Sequence, residues 1–114
     1  MTLLKGIFSM TKNRPLITIA SWEERFRLGT ERIVQGEQPT ALLMFYYREY
    51  AERSSSNRNR VKELCAAHSI RLDEVEVSFD PVAAWRKYEA TVYAYQYINS
   101  EVLLDFTTAP REAI

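Results

Sequence analysis

Two uninterrupted apolar runs, Leu16-Ile-Thr-Ile-Ala20 and Ala41-Leu-Leu-Met-Phe-Tyr-Tyr47, constrain this chain more than any other feature. Continuous β-branched and aromatic runs suit strands that are covered on both faces, as in parallel sheets. Pro15 stands at the leading edge of the first run, where a missing N–H is tolerated. Parallel neighbours need a crossover, usually a helix. The segment between the runs supplies one. Ser21 with Glu24 three residues later reads as a capping box. The pattern predicts a helix from Trp22 to Gln35 with Trp22, Phe26, Ile33 and Val34 as its apolar contacts, stopped at Gly36.

The same alternation continues. Serines 54–56 are candidate caps for a second helix, Ser56 to His68, with Val61, Leu64, Cys65 and His68 at i, i+3, i+4, i+7. Leu72 to Phe79 alternates, with Val75, Val77 and Phe79 on one face and Glu74, Glu76 and Ser78 on the other, which predicts an edge strand with one wet face. Asp80-Pro81 opens a third helix to Tyr97, with Val82, Trp85, Tyr88, Val92 and Tyr95 as its stripe. Val102-Leu-Leu-Asp-Phe106 reads as a fourth strand, and Thr107-Thr-Ala-Pro-Arg111 as a turn into a truncated fourth helix. The expected fold is a Rossmann-like α/β domain over residues 15–114. It has about four parallel strands in the order 3-2-1-4, helices on both faces, and right-handed crossovers. Residues 1–14 are expected to be an N-terminal extension, with Met10 near the natural start of the domain. The interrupted fourth helix reads either as a stub or as a sign that the chain is the leading part of a longer protein, and the second is the expectation.

With 114 residues the chain fits one domain. Fifteen basic and fifteen acidic residues cancel, so there is no bulk attraction to nucleic acid or to an anionic membrane. No apolar run approaches the ~20 residues of a membrane span. The first ten residues hold too short an apolar core for a signal peptide. Cys65 is the single cysteine, so no internal disulfide forms and a cytoplasmic location is expected.

In open α/β sheets ligands bind beyond the carboxyl ends of the strands, where the strand order reverses. In a 3-2-1-4 sheet that point lies between strands 1 and 4. The turns Ser21-Trp-Glu-Glu-Arg25 and Thr107-Thr-Ala-Pro-Arg111 meet there. Each leads into a helix N-terminus, which favours an anion. Ser21, Thr107 and Thr108 offer hydroxyls, and Arg25 and Arg111 offer guanidinium groups suited to phosphate. The expected ligand is a small anion, with a nucleotide as the leading candidate. The competing reading is that Ser21 and Thr108 only cap helices while the arginines pair with Glu24 and Glu112. None of the three glycines, Gly6, Gly29 and Gly36, directly follows a strand, and no Gly-x-Gly-x-x-Gly or Walker loop is present. NAD, FAD and P-loop ATP binding are disfavoured, and no cofactor is expected.

Other residues carry thinner signals. Tyr46-Tyr-Arg-Glu-Tyr50 with Arg53, Arg58 and Arg60 interleaves aromatic and basic groups, as in base-stacking surfaces. Glu49, Glu52 and Glu63 dilute that charge, which favours a solvated helix face. His68 and Cys65 are too few for zinc and lie on a packing helix, away from the strand ends. Asp105 in strand 4 is expected at the ligand, where it can pair with an arginine, position a hydroxyl or act as a base. Glu23 at the crevice is the second carboxylate for acid–base work. The competing reading, which the residues favour, is a strand-end Asp that binds backbone N–H groups.

The motifs Ile19-Ala-Ser-Trp-Glu-Glu-Arg25 and Asp105-Phe-Thr-Thr-Ala-Pro-Arg-Glu112 carry a family resemblance. A first strand ending in Ser-aromatic-Glu-x-Arg, with a later strand ending in Asp-x-Thr-Thr-x-Pro-Arg, resembles Rossmann-like domains of prokaryotic defence systems. Some of these are ligand sensors similar to the CRISPR-associated Rossmann fold. The resemblance implies nucleotide sensing, with Ser21, Glu23, Arg25, Thr107, Thr108 and Arg111 facing the ligand. The leading expectation is a nucleotide-binding or nucleotide-sensing module. The alternatives are a small nucleotide hydrolase using Asp105 and Glu23, and a protein-interaction subunit that forms a homo-oligomer or joins a partner chain. The residues do not name a reaction, and the reading leans away from an enzyme.

Overall fold

The computed structural model describes residues 14–98 and 102–105. The elements are β1 (Pro15–Ile19), α1 (Glu24–Glu37), β2 (Ala41–Tyr47), a 3-10 turn (Arg48–Tyr50), α2 (Ala51–Ala67), β3 (Arg71–Val77), α3 (Pro81–Ile98) and β4 (Leu103–Asp105). The four strands form one sheet in the order β3-β2-β1-β4, and every pairing is parallel. The fold is the expected α/β arrangement with helices on both faces.

The period of two in the strands sorts the core into two layers. Leu16, Ala20, Leu42 and Met44 point to one face, where Phe26 and Val34 of α1 and Val61 and Cys65 of α2 bury against them. Ile17, Ile19, Leu43, Phe45 and Tyr47 point to the other, beneath Ala84, Tyr88 and Val92 of α3. Each fully buried Leu, Ile or Phe stabilises the fold by roughly 1.5–3 kcal/mol relative to exposure. Both apolar runs are therefore consumed by the core, as continuous hydrophobicity requires.

Several local expectations are corrected. Ser21 does not cap α1: the helix starts at Glu24, its N-cap is Glu23, and the Glu23 side chain makes no capping bond. The Ser21 hydroxyl instead accepts from the Glu23 amide at 3.3 Å, a local turn that competes with a capping box. Trp22 lies in that turn, outside the helix. Gly36 does not end α1. The chain breaks at Gln38, which adopts φ 49° and donates its amide to the Val34 carbonyl. Pro39 follows, and the residue before a proline is disfavoured in the right-handed helix.

Serines 54–56 sit inside α2, which begins at Ala51. Ser54 and Ser55 donate back to the carbonyls of Ala51 and Glu52, so their hydroxyls find partners without ending the helix. His68 follows the last residue of α2 and is exposed. It is not part of the packed stripe, and its amide bonds the carbonyls of Leu64 and Cys65.

β3 is an outer strand, as its alternation predicts, but its charged face is not simply wet. Glu74 lies under α2 with Arg58 and Lys62, and its side chain is only 20% exposed. The strand also ends at Val77, leaving Phe79 in the following turn. Asp80 opens α3 as expected, accepting from the Val82 amide at 3.1 Å. The α3 stripe is different, however. Ala84, Tyr88 and Val92 face the sheet, while Val82 and Trp85 point outward. The side chain of Tyr95, together with Phe106 and the fourth helix, lies outside the described residues.

Candidate ligand site at the carboxyl rim

The strand order fixes the neighbourhood of the site. β1 lies between β2 and β4, and Thr18 is in register with Asp105. The Thr18 hydroxyl donates to the Asp105 carbonyl at 3.0 Å, which joins the two strands at their carboxyl ends. The chain leaving β1 turns onto the face of α1, and the chain reaching β4 has crossed the opposite face through α3. This is the geometry of a topological switch point. Asp105 belongs to an outer strand and is half-buried, so it does not carry the cost of a charge in a central strand.

The β1–α1 turn is held from behind. Asn57 on α2 donates its amide group to the carbonyls of Ser21 (3.0 Å) and Glu23 (2.9 Å). Ser21 is buried. Arg25 is exposed and bonds Glu23 through Nε–Oε2 at 2.7 Å. Arg27 pairs with Glu24 at 3.3 Å. The start of α1 therefore carries its own acidic residues, Glu23 and Glu24. They complement the helix dipole and leave it less open to an external anion. Of the expected site residues, Ser21, Glu23 and Arg25 share this turn and Asp105 ends the adjacent strand. Thr107, Thr108 and Arg111 lie outside the described residues. Arg25 pairs with Glu23, not with Glu24.

A second feature of the rim was only partly visible in the sequence. Three successive βα turns each contribute an aromatic ring: Trp22, Tyr50 and Phe79. Trp22 and Tyr50 meet edge to face at 4.5 Å, and Tyr50 and Phe79 at 5.1 Å. Tyr47 joins Phe79 at 5.2 Å, and the Tyr88 hydroxyl donates to that of Tyr47 at 3.2 Å. Burial and that hydrogen bond push the Tyr88 phenol up, so it stays a neutral donor. Glu49 accepts from the Phe79 amide at 3.2 Å, which ties the second and third turns together.

The Arg53 guanidinium lies over the Trp22 ring, 3.8 Å from its centroid, and 5.6 Å from that of Tyr50. Arg53 is exposed and makes no ion pair among the described residues. Arg58 is different. It stacks on Tyr46 and is bonded to Ser54, Glu74 and the Ala51 carbonyl, so it serves the fold. The aromatic–basic interleaving thus splits into one structural arginine and one rim arginine. Only the i to i+3 spacing of Tyr50 and Arg53 hinted at the latter. Nothing local in the sequence pointed to Asn57 or to the meeting of Trp22 with Tyr50.

Cys65 is buried, and burial pushes its thiol up to about 11, so it is not a nucleophile at neutral pH. No group of metal-ligating side chains occurs among the described residues, and no helix among them is long and apolar enough to cross a membrane. No protein-family model, no curated protein and no solved structure matches this chain, which leaves its own residues as the guide to function.

Proposed function

We propose that this domain binds a nucleotide at the carboxyl rim of its sheet, between the turns that follow β1 and β4, and acts as a ligand-sensing module. The observation that carries the reading is the switch point itself, with the carboxyl ends of β1 and β4 joined through Thr18 and Asp105. The rim chemistry supports a nucleotide over a bare anion. Trp22, part-exposed on the turn after β1, offers ring surface for a base, and Arg53, which stacks on it from the β2 side, is a cation that can also reach a phosphate. The Thr107-Thr-Ala-Pro-Arg111 segment supplies the remaining phosphate-binding chemistry at the level of sequence. The resemblance to defence-system ligand sensors agrees with this assignment. Arg25, engaged by Glu23, has a lesser part than its position in the sequence suggests.

Thermal unfolding of the full chain with a panel of mono-, di- and cyclic nucleotides tests the proposal. A ligand held at 100 times its dissociation constant should stabilise the native state by about 2.7 kcal/mol and raise Tm. The nucleotide should be recovered intact. Arg53→Ala and Arg111→Ala should each weaken the shift. If no nucleotide moves Tm, or both variants bind as the parent does, the crevice is not the site. Consumption of the nucleotide would favour a hydrolase.

A further inference from the structure

We infer that the outer face of α3 is a self-association surface, on which a second copy of this chain docks with its own α3 antiparallel to the first. Val82, Trp85, Arg86, Glu89, Ala90 and Tyr93 recur at i, i+3, i+4, i+7, i+8 and i+11, so they form one stripe along three turns. The stripe lies opposite Ala84 and Tyr88, which face the sheet. All six residues are exposed, with Val82 at 59%, Trp85 at 65% and Tyr93 at 67%. The solvent side of a surface helix is ordinarily charged. Here it presents two large aromatic rings and a valine, and two shallow hollows flank Tyr93. One, of about 450 Å³, is lined by Arg86, Glu89, Ala90 and Tyr93. The other, of about 280 Å³, is lined by Trp85, Tyr88, Glu89, Val92 and Tyr93.

The order of residues along the stripe identifies the occupant. A two-fold axis between Lys87 and Tyr88 sets Val82 against Tyr93 of the second copy and Arg86 against Glu89, with Trp85 and Ala90 on opposite flanks of the contact. Each contact occurs twice. Apolar side chains meet apolar ones and cations meet anions, as an isologous interface requires. Neither Arg86 nor Glu89 makes an ion pair among the described residues, so both are available to the second copy. An unrelated partner would not need the stripe to match its own reverse. Three turns of helix bury less than the ~800 Å² per partner of a standard interface, so the dimer is reversible.

Sedimentation velocity of the full chain, from low-micromolar to sub-millimolar concentration, tests this. The parent should pass from monomer to dimer. Arg86→Glu and Glu89→Arg should each weaken the dimer at least about tenfold, because each sets like charges face to face twice. The double variant, and an equimolar mixture of the two single variants, should recover it. Trp85→Ala should raise the dissociation constant about fivefold, as for an aromatic on the flank of an interface. A parent that stays monomeric overturns the inference. So does a dimer that neither charge reversal weakens, or whose weakening neither recombination restores. The two charge variants change exposed residues only and keep the test valid should Trp85→Ala fail to fold.

Discussion

α2 and α3 cover opposite faces of one sheet, and their sequences suggest the wrong roles for them. α2 is crowded with serines, asparagines and arginines, the composition of a solvated helix. α3 carries Trp85, Tyr88, Val92 and Tyr93, the composition of a buried one. The structure reverses this in part. Ser54 is fully buried, Asn57 grips the β1–α1 turn, and Arg58 joins Ser54, Glu74 and the Ala51 carbonyl. On α3, Val82, Trp85 and Tyr93 are turned away from the sheet. Polar groups can build a core layer when every donor has a fixed partner. Large apolar groups left outside one are surface whose use lies beyond the folded chain. Function is therefore best sought in what the core has not already engaged: the part-exposed Trp22 and the exposed Arg53 at the rim, and Val82 and Trp85 on the outer face of α3.

The sharpest way to break this contrast is Arg58→Ala. The substitution removes the donors to Ser54, to the Ala51 carbonyl and to Glu74, and leaves Glu74 with Lys62 alone. The Arg58 side chain is 12% exposed. A loss of about 2–4 kcal/mol in urea unfolding is expected, in the range for breaking a mostly buried charge network. Arg58→Lys should recover little, because one ammonium cannot reproduce the guanidinium fork. A loss below about 0.5 kcal/mol would return α2 to the status of an ordinary surface helix.

Acid sharpens the same point with a smaller effect. Burial alone would raise the Glu74 carboxyl, but hydrogen bonds from Lys62 and Arg58, together with their charges, hold it below its ordinary value of 4.5. A depressed carboxylate contributes stability above the unfolded pKa and loses it as pH falls through the folded one. The network should therefore weaken below pH 4.5, where the unfolded chain takes up the proton first. The parent should lose stability in that window faster than Glu74→Gln. Parallel curves for the two proteins would remove Glu74 from the account.

The strands were legible because burial on two faces leaves a continuous apolar run, and β1 and β2 carry one each. Strand order was also legible, since β-α-β units with right-handed crossovers admit few arrangements. The helix boundaries were less so. Ser21, Gly36 and serines 54–56 all have the chemistry of helix ends, yet each satisfies its local role another way. Ser21 closes a turn with Glu23, and Gln38 takes the left-handed position that Gly36 was expected to fill. The rim was half legible. Ser21, Glu23 and Asp105 follow from topology, whereas the contact of Trp22 with Tyr50 and Arg53 joins two separate loops and leaves no spacing to find. The α3 stripe was misread because Val82 and Trp85 share its apolar character with Tyr88 but lie on another side of the helix. Hydrophobicity marks what can be buried and does not say against what.

That ambiguity makes Trp85→Ala the finest test of the contrast, through an effect near zero. A tryptophan truncated in a packed core costs about 3–5 kcal/mol. Trp85 is 65% exposed, so at concentrations where the dimer is dissociated the loss should stay within about 0.5 kcal/mol. The largest apolar side chain on α3 should then matter less to the monomer than one arginine on α2. A loss above about 2 kcal/mol in the isolated monomer would mean that Trp85 packs within its own chain. The outer face of α3 would become a third core layer, and the division between a helix whose chemistry is engaged and one whose chemistry is exposed would fail.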